Sequence, residues 1–261
     1  DAAELLLEVG PELRFRAHLF FVVRHFQFTF PADHPTMGTG AMLRAAGVGL
    51  GDEVVVPAFG NTEVAEEVAR VGAMPVFADV DPVSYCLDAL AVESVVTPRT
   101  AAVVVVHRFG RPADMGRLRD VGARRGLLVL EEGDGEGALD EVAQRRERAA
   151  YLDARLRGVW TPDGGDGHTY QQYVVRVPGN GRPDRDAFAR ALRGKGVACR
   201  VPVKTPVHRL PEFRRCVSLP ETERAADETL ALPVDAALTK RDMQRIVSAC
   251  NALGGLLQPA Y

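Results

Sequence analysis

The sequence predicts an α/β protein, a mostly parallel sheet with flanking helices, followed by a small C-terminal α+β domain. Three observations carry this. Short apolar runs such as Val54-Val55-Val56, residues 101–106 and Leu127-Leu-Val-Leu130 have the length and composition of buried strands. They alternate with helical patterns at the spacing of βαβ units. Beyond residue 139 that alternation gives way to one long charged helical stretch, so three segments are expected: an N-terminal packing segment over 1–37, an α/β unit over 38–138, and the α+β domain over 139–261.

In the first segment, residues 13–30 are dense in Phe, His and Arg with partial alternation, until Pro31 and Pro35 interrupt them. His18, His25 and His34 lack the i, i+4 spacing of a helical metal pair. Gly38-Thr39-Gly40 then opens a short helix over 41–46. A turn leads to a strand over 54–56, stopped by Pro57. Asn61 and Thr62 can cap a helix over 63–71, whose early acids suit its dipole. A strand over 74–78, a helix over 87–95, a strand over 101–106 ending at His107, a helix over 113–122 and a strand over 127–130 complete the unit. In the C-terminal domain we expect a helix over 139–156, a strand over 170–177, and a helix over 185–193 closed by Gly194 and Gly196. A strand over 198–203 and helices over 221–230 and 240–253 follow.

Composition excludes several classes. With 46% hydrophobic and 26% charged residues the chain can bury a core. A net charge of −3 gives no electrostatic reason for a nucleic-acid or anionic-membrane partner. The run 19–23 is too short to span a bilayer, no signal-peptide pattern is recognisable, and a cytoplasmic location is expected. Cys86, Cys199, Cys216 and Cys250 contain no C-x-x-C, so reduced thiols and no zinc site are expected. Basic residues are mostly arginine, a bias that suits a high-GC bacterial genome; the only lysines are Lys195, Lys204 and Lys240.

Several segments carry a resemblance. Gly38-Thr39, Gly49-Leu-Gly-Asp-Glu-Val-Val-Val-Pro-Ala-Phe59, Gly72-Ala-Met-Pro-Val-Phe-Ala-Asp-Val-Asp-Pro82, Thr97-Pro-Arg-Thr100 and Val106-His-Arg-Phe-Gly-Arg-Pro-Ala-Asp-Met115 resemble the PLP-dependent sugar aminotransferases of the DegT/StrS group. So do Tyr173-Val-Val-Arg-Val177, Pro206-Val-His208, Leu219-Pro-Glu-Thr-Glu223 and Leu230-Ala-Leu-Pro233. The resemblance implies an aspartate aminotransferase (type I) fold, here internally shortened. In that group the strand equivalent to 127–130 leads into a central block with the Schiff-base lysine and a phosphate-binding serine. Here Gly137-Ala138 passes almost directly into the next domain, and none of the three lysines matches the catalytic position. Schiff-base chemistry needs a primary amine.

By the same resemblance the remaining coenzyme positions are degenerate. Glu132 replaces the aspartate under the pyridine nitrogen, Gly135 a glutamine, Asn61 the stacking aromatic and Pro202 a histidine, while the helix after Gly38 and Thr39 is short. No PLP is therefore expected, nor any other cofactor.

Three readings follow. The first is a pseudoenzyme, a partner or scaffold in an amino-sugar or antibiotic pathway, paired as a homodimer or with a full-length aminotransferase-fold protein. Residues 15–30 would cover the core surface that the missing block exposes. The second is a repurposed acid–base isomerase, epimerase, dehydratase or cyclase acting on a small biosynthetic intermediate. It would use His107 at the end of the third strand with Glu132, Asp134 and Glu136 beyond the fourth, since crowded carboxylates raise one another's pKa and imidazole titrates near neutrality. His208 and Arg209 are the substrate-facing candidates by resemblance. The same carboxylates could hold a divalent metal, or form only a solvated loop. The third is an aminotransferase whose lysine comes from a partner chain.

Overall fold

A computed structural model describes residues 38–133, 139–165, 167–177, 184–235 and 237–254. Its first half is a parallel sheet of β1 (Glu53–Pro57), β2 (Met74–Ala78), β3 (Thr100–Val106) and β4 (Leu128–Glu132), in the order β2-β1-β3-β4. β1 and β3 are central and buried along their whole lengths, which is why they are unbroken apolar runs. One face carries α1 (Thr39–Ala45) and α2 (Glu63–Arg70), and its core gathers Leu43, Val54, Val56, Val68, Val104 and Leu130. The opposite face carries α3 (Ala89–Val95) and α4 (Met115–Arg125), packed on Val55, Val103 and Val105. Asp88 and Asp114 cap these two helices, each accepting the backbone N–H three residues on. Gly126, at φ +66°, ends α4 in the left-handed conformation that glycine adopts without strain.

The second half holds α5 (Leu139–Asp153), β5 (Tyr173–Arg176), α6 (Asp184–Gly194), α7 (Pro220–Glu228), β6 (Thr229–Leu232) and α8 (Lys240–Gly254). β5 and β6 pair antiparallel. Their core joins Leu152, Tyr173, Leu192, Leu230, Ile246 and Cys250. The two halves interlock. Val207, Phe213 and Leu219 enter the core under α1 and α2. A further cluster unites Phe59, Tyr85 and Phe109 with Val174, Val203, Ala226 and Ala231.

Three expectations are corrected. The helix placed over 221–230 ends at Glu228, and Thr229–Leu232 is strand β6, because alternate residues of that run bury against two cores. Residues 198–203 form no strand; Arg200 makes only an isolated antiparallel bridge to Ala231. Thr62 occupies the N-cap of α2 without a side-chain cap bond, and Asn61 donates instead to Glu63. Among the described residues no helix is long and apolar enough to cross a membrane, and no group of three or more His, Cys, Asp and Glu could hold a metal ion. All four cysteines are free thiols.

Candidate functional site

In an open parallel sheet the loops at the carboxyl ends of the strands meet in one crevice. Here those ends present Ala58 to Asn61 after β1, Asp79 after β2, His107 after β3, and Glu131 and Glu132 closing β4. The N-terminus of α1 lies over the same edge, since the buried Thr39 hydroxyl donates to Glu132 Oε2 at 2.7 Å.

Successive side chains of a strand point to opposite faces, and that separates the two glutamates. Glu132 faces α1. Glu131 faces α4, where its Oε1 lies 2.8 Å from His107 Nε2 and its Oε2 accepts from Arg119 at 2.9 Å. The tautomer of His107 follows from its other nitrogen. The Ala113 backbone N–H can only donate, and it does so to Nδ1 at 3.0 Å, so Nε2 carries the proton and donates to Glu131. The histidine and Glu132 share one end of the sheet but not one face, and both imidazole nitrogens are already engaged. The expected His107–Glu132 constellation is thus not assembled. Asp134, Gly135 and Glu136 lie outside the described residues, as does the aromatic segment 15–30.

Around α1 the protein supplies its own anion. Gly40 N–H donates to Glu67 Oε2 at 2.5 Å. A Cβ built on Gly38 would stand 3.2 Å from Glu67 Oε1, and one on Gly40 3.3 Å from Oε2. The carboxylate of α2 therefore sits against the opening turn of α1, where helix amides favour negative charge. Asn61, at the stacking position, is exposed, with its amide 3.3 Å from Glu63.

His208 and Arg209 lie on a short 3₁₀ turn, Val207–Arg209, pinned to the end of β1 by Val207 N–H donating to Ala58 O at 2.9 Å. They are joined through Glu223, whose carboxylate contacts His208 Nε2 at 3.3 Å and Arg209 Nη2 at 2.8 Å. His208 is 1% exposed and packs beside Phe77. Burial holds its pKa below the usual imidazole value against the opposing pull of Glu223. It faces the core rather than the crevice, while Arg209 is exposed. Lys195, Lys204 and Lys240 are all exposed.

Sequence reasoning missed Glu67, Glu131 and Glu223. Strand parity would have found Glu131, because His107 continues the Val103–Val105 face of β3, and Val105 pairs with Glu131 in register. No local sequence signal marks Glu67 or Glu223, whose partners lie 27 and 15 residues away.

Comparison with known proteins places this geometry. A model of the DegT/DnrJ/EryC1/StrS aminotransferase family matches residues 34–134 and 136–251, with its break at 135, just past β4. A "pleiotropic regulatory protein" of Geobacillus stearothermophilus is 29% identical over 299 residues, taking in 78% of this chain and 79% of that one. That span exceeds the whole 261-residue chain, so the relative contains a block facing a gap here. An L-glutamine:2-deoxy-scyllo-inosose aminotransferase of Streptomyces kanamyceticus is 45% identical over 102 residues, 39% of this chain but only 24% of that protein. Among solved structures, the aminotransferase TlmJ from Streptoalloteichus hindustanus superposes with a TM-score of 0.74 at 25% identity, covering 84% of each chain.

Proposed function

The chain belongs to the DegT/DnrJ/EryC1/StrS aminotransferase family, and we propose that within it this protein is a PLP-independent pseudoenzyme, a partner or scaffold in an amino-sugar or antibiotic pathway. The pathway class is proposed from relatives such as the scyllo-inosose aminotransferases. A relative that spans most of the chain is named a pleiotropic regulatory protein.

The observation that carries this reading is the carboxylate of Glu67 at the opening turn of α1. Pyridoxal phosphate asks a protein of this family for an amine to form an imine, free amides to face its phosphate, and an acid under its ring nitrogen. The residues present do not fit it. A second anion at Gly38–Gly40 would meet Glu67 by like-charge repulsion. Glu132 is held by Thr39. The lysines are exposed, and the family match breaks just past β4, where the family carries its central block. The acid–base alternative draws less support, because His107 has no free ring nitrogen to accept a substrate proton.

The test is incubation with pyridoxal phosphate, borohydride reduction and intact-mass measurement. The expected result is an unchanged mass and no imine absorbance. A pyridoxyl group fixed to Lys195, Lys204 or Lys240 would overturn the reading. The proposed association, with itself or with a full-length aminotransferase-fold chain, is read separately by sedimentation with and without that partner.

A further inference from the structure

A separate cleft opens between the two halves of the protein. Tyr85, Arg108, Phe109 and Arg111 reach it from the loops that follow β2 and β3, and His168 and Gln172 from the segment before β5. Its walls are pinned together by the main chain: Thr169 N–H donates to Gly110 O at 2.7 Å, and Gln172 N–H to Phe109 O at 3.3 Å. With its open mouth included the cleft encloses about 230 Å³, below the roughly 300–1,000 Å³ of pockets for drug-sized ligands, so only a molecule of a few heavy atoms fits. Backbone strain gathers here. Among the described residues, the non-glycine residues with positive φ are Tyr85 (60°), Phe109 (60°) and Tyr170 (49°). The first two line the cleft, and Tyr170 N–H donates at 3.0 Å to Nδ1 of His168, which also lines it. A bulky side chain is costly in the left-handed region, and such positions gather at ligand sites.

The polar groups of the cleft define what it can hold. Gln172 Oε1 is buried, and no group of the protein donates to it. A buried acceptor left without a donor costs the full loss of its hydration. The oxygen is also the end of this amide that suits a site between guanidinium groups, since its NH₂ would turn like polarity toward them. The Arg108 guanidinium stands 5.0 Å from the Phe109 ring centre and 5.8 Å from that of Phe59, a stacking that fixes its place. Arg111 is held from outside by Asp163, through the backbone oxygen at 2.8 Å and the carboxylate at 3.2 Å. The Asp163 side chain is 63% exposed, so its carboxylate is a weak competitor for that arginine. Burial raises the Tyr85 pKa to about 12, which keeps its hydroxyl protonated.

We propose that this cleft binds a short 2-hydroxy carboxylate, its carboxylate on Arg111 with the charge of Arg108 beside it, and its hydroxyl donating to Gln172 Oε1. Two guanidinium groups favour an anion, and their planar donors match a carboxylate in paired hydrogen bonds. The orphan acceptor asks for a donor on the same molecule. An ammonium at that point would meet the two guanidinium charges, so the donor is a neutral hydroxyl, and amino acids are disfavoured. The site is built from residues of the two halves alone, and the proposal stands whether or not the protein binds a coenzyme.

Titration of the isotopically labelled full chain, followed by NMR, tests it with glycolate and acetate, which differ by the hydroxyl alone. Glycolate is expected to shift the Gln172 and Arg111 side-chain resonances saturably and to bind about tenfold more tightly than acetate. Equal affinities for the two acids, or no shift at these side chains, would overturn the proposal without recourse to any variant. Glycine, which carries an ammonium in place of the hydroxyl, should bind more weakly than glycolate, and the reverse order would overturn it as well. In Gln172→Leu the preference for glycolate over acetate should vanish, and in Arg111→Gln the affinity for glycolate should fall about tenfold. A preference that survives in folded Gln172→Leu would also overturn it.

Discussion

Removing the Glu67 carboxylate should destabilise the protein by about 1.5–2 kcal/mol. A hydrogen bond to a charged acceptor contributes about 1.5–3 kcal/mol when the group is withdrawn from water, and an anion at a helix start adds about 0.3–1 kcal/mol. Glu67 is half-buried, so solvent screening brings the sum toward the lower end. Its pairing with Arg70 contributes little, because that contact is 4.0 Å long and the arginine side chain is 63% exposed. The perturbation is Glu67→Ala, read by urea unfolding, with Glu67→Gln and Arg70→Ala beside it. The glutamine keeps an oxygen for the Gly40 N–H and should lose about half as much. Arg70→Ala should change stability by less than about 0.5 kcal/mol. If Glu67→Ala unfolds at the wild-type midpoint, the carboxylate does not hold the start of α1, and the main support for a self-occupied anion position disappears. The alanine variant should still capture no coenzyme, since removing an anion supplies no amine.

Three further outcomes are expected. Asp79 accepts from the Glu221 and Thr222 backbone N–H groups at 3.0 and 2.7 Å and so caps α7 from the other half of the molecule; Asp79→Ala should cost about 1–2 kcal/mol in urea unfolding. His168 is 4% exposed and burial drives its pKa down to about 4. The unfolded chain therefore takes up the proton first, and stability should fall as pH drops from about 6.5 to about 4, an effect that His168→Gln should diminish in urea midpoints across that range. Cys216 is exposed, whereas Cys86, Cys199 and Cys250 are buried, and burial raises the thiol pKa of Cys86 to about 11 and of Cys250 to about 12. A thiol reagent should titrate one cysteine quickly and the others only on unfolding.

What the sequence disclosed depended on how local the determining physics was. The central strands β1 and β3 were legible because a strand buried on both faces must be a continuous apolar run, and the edge strand β2 also falls on the expected residues 74–78. β6 was not legible, because Glu221 to Leu230 keeps a helical apolar period until Thr229 turns into the ladder with Arg176. The candidate site was legible in place but not in pairing. His107 and the acids of β4 do meet at one edge. Which acid meets the histidine is decided by strand parity and register, and these emerge only when β3 and β4 are laid side by side. Glu67 belongs to a third category: its role exists only through the packing of α2 on α1, with no pattern along the chain to announce it.

The contacts that join the two halves account for how the described residues hold together. Asp79 caps α7, Val207 bonds to the end of β1, and Phe59, Tyr85 and Phe109 form a mutual aromatic cluster with ring centroids 5.7 to 6.0 Å apart. Val203, Ala225 and Ala231 close over that cluster from the second half. Each of these contacts links the chain just after β1, β2 or β3 to residues 203–231, and none of them involves β4. The junction around the crevice is therefore held by the part of the sheet that is present. At the crevice itself the carboxylates of Glu67 and Glu132 are engaged by the Gly40 N–H and the Thr39 hydroxyl.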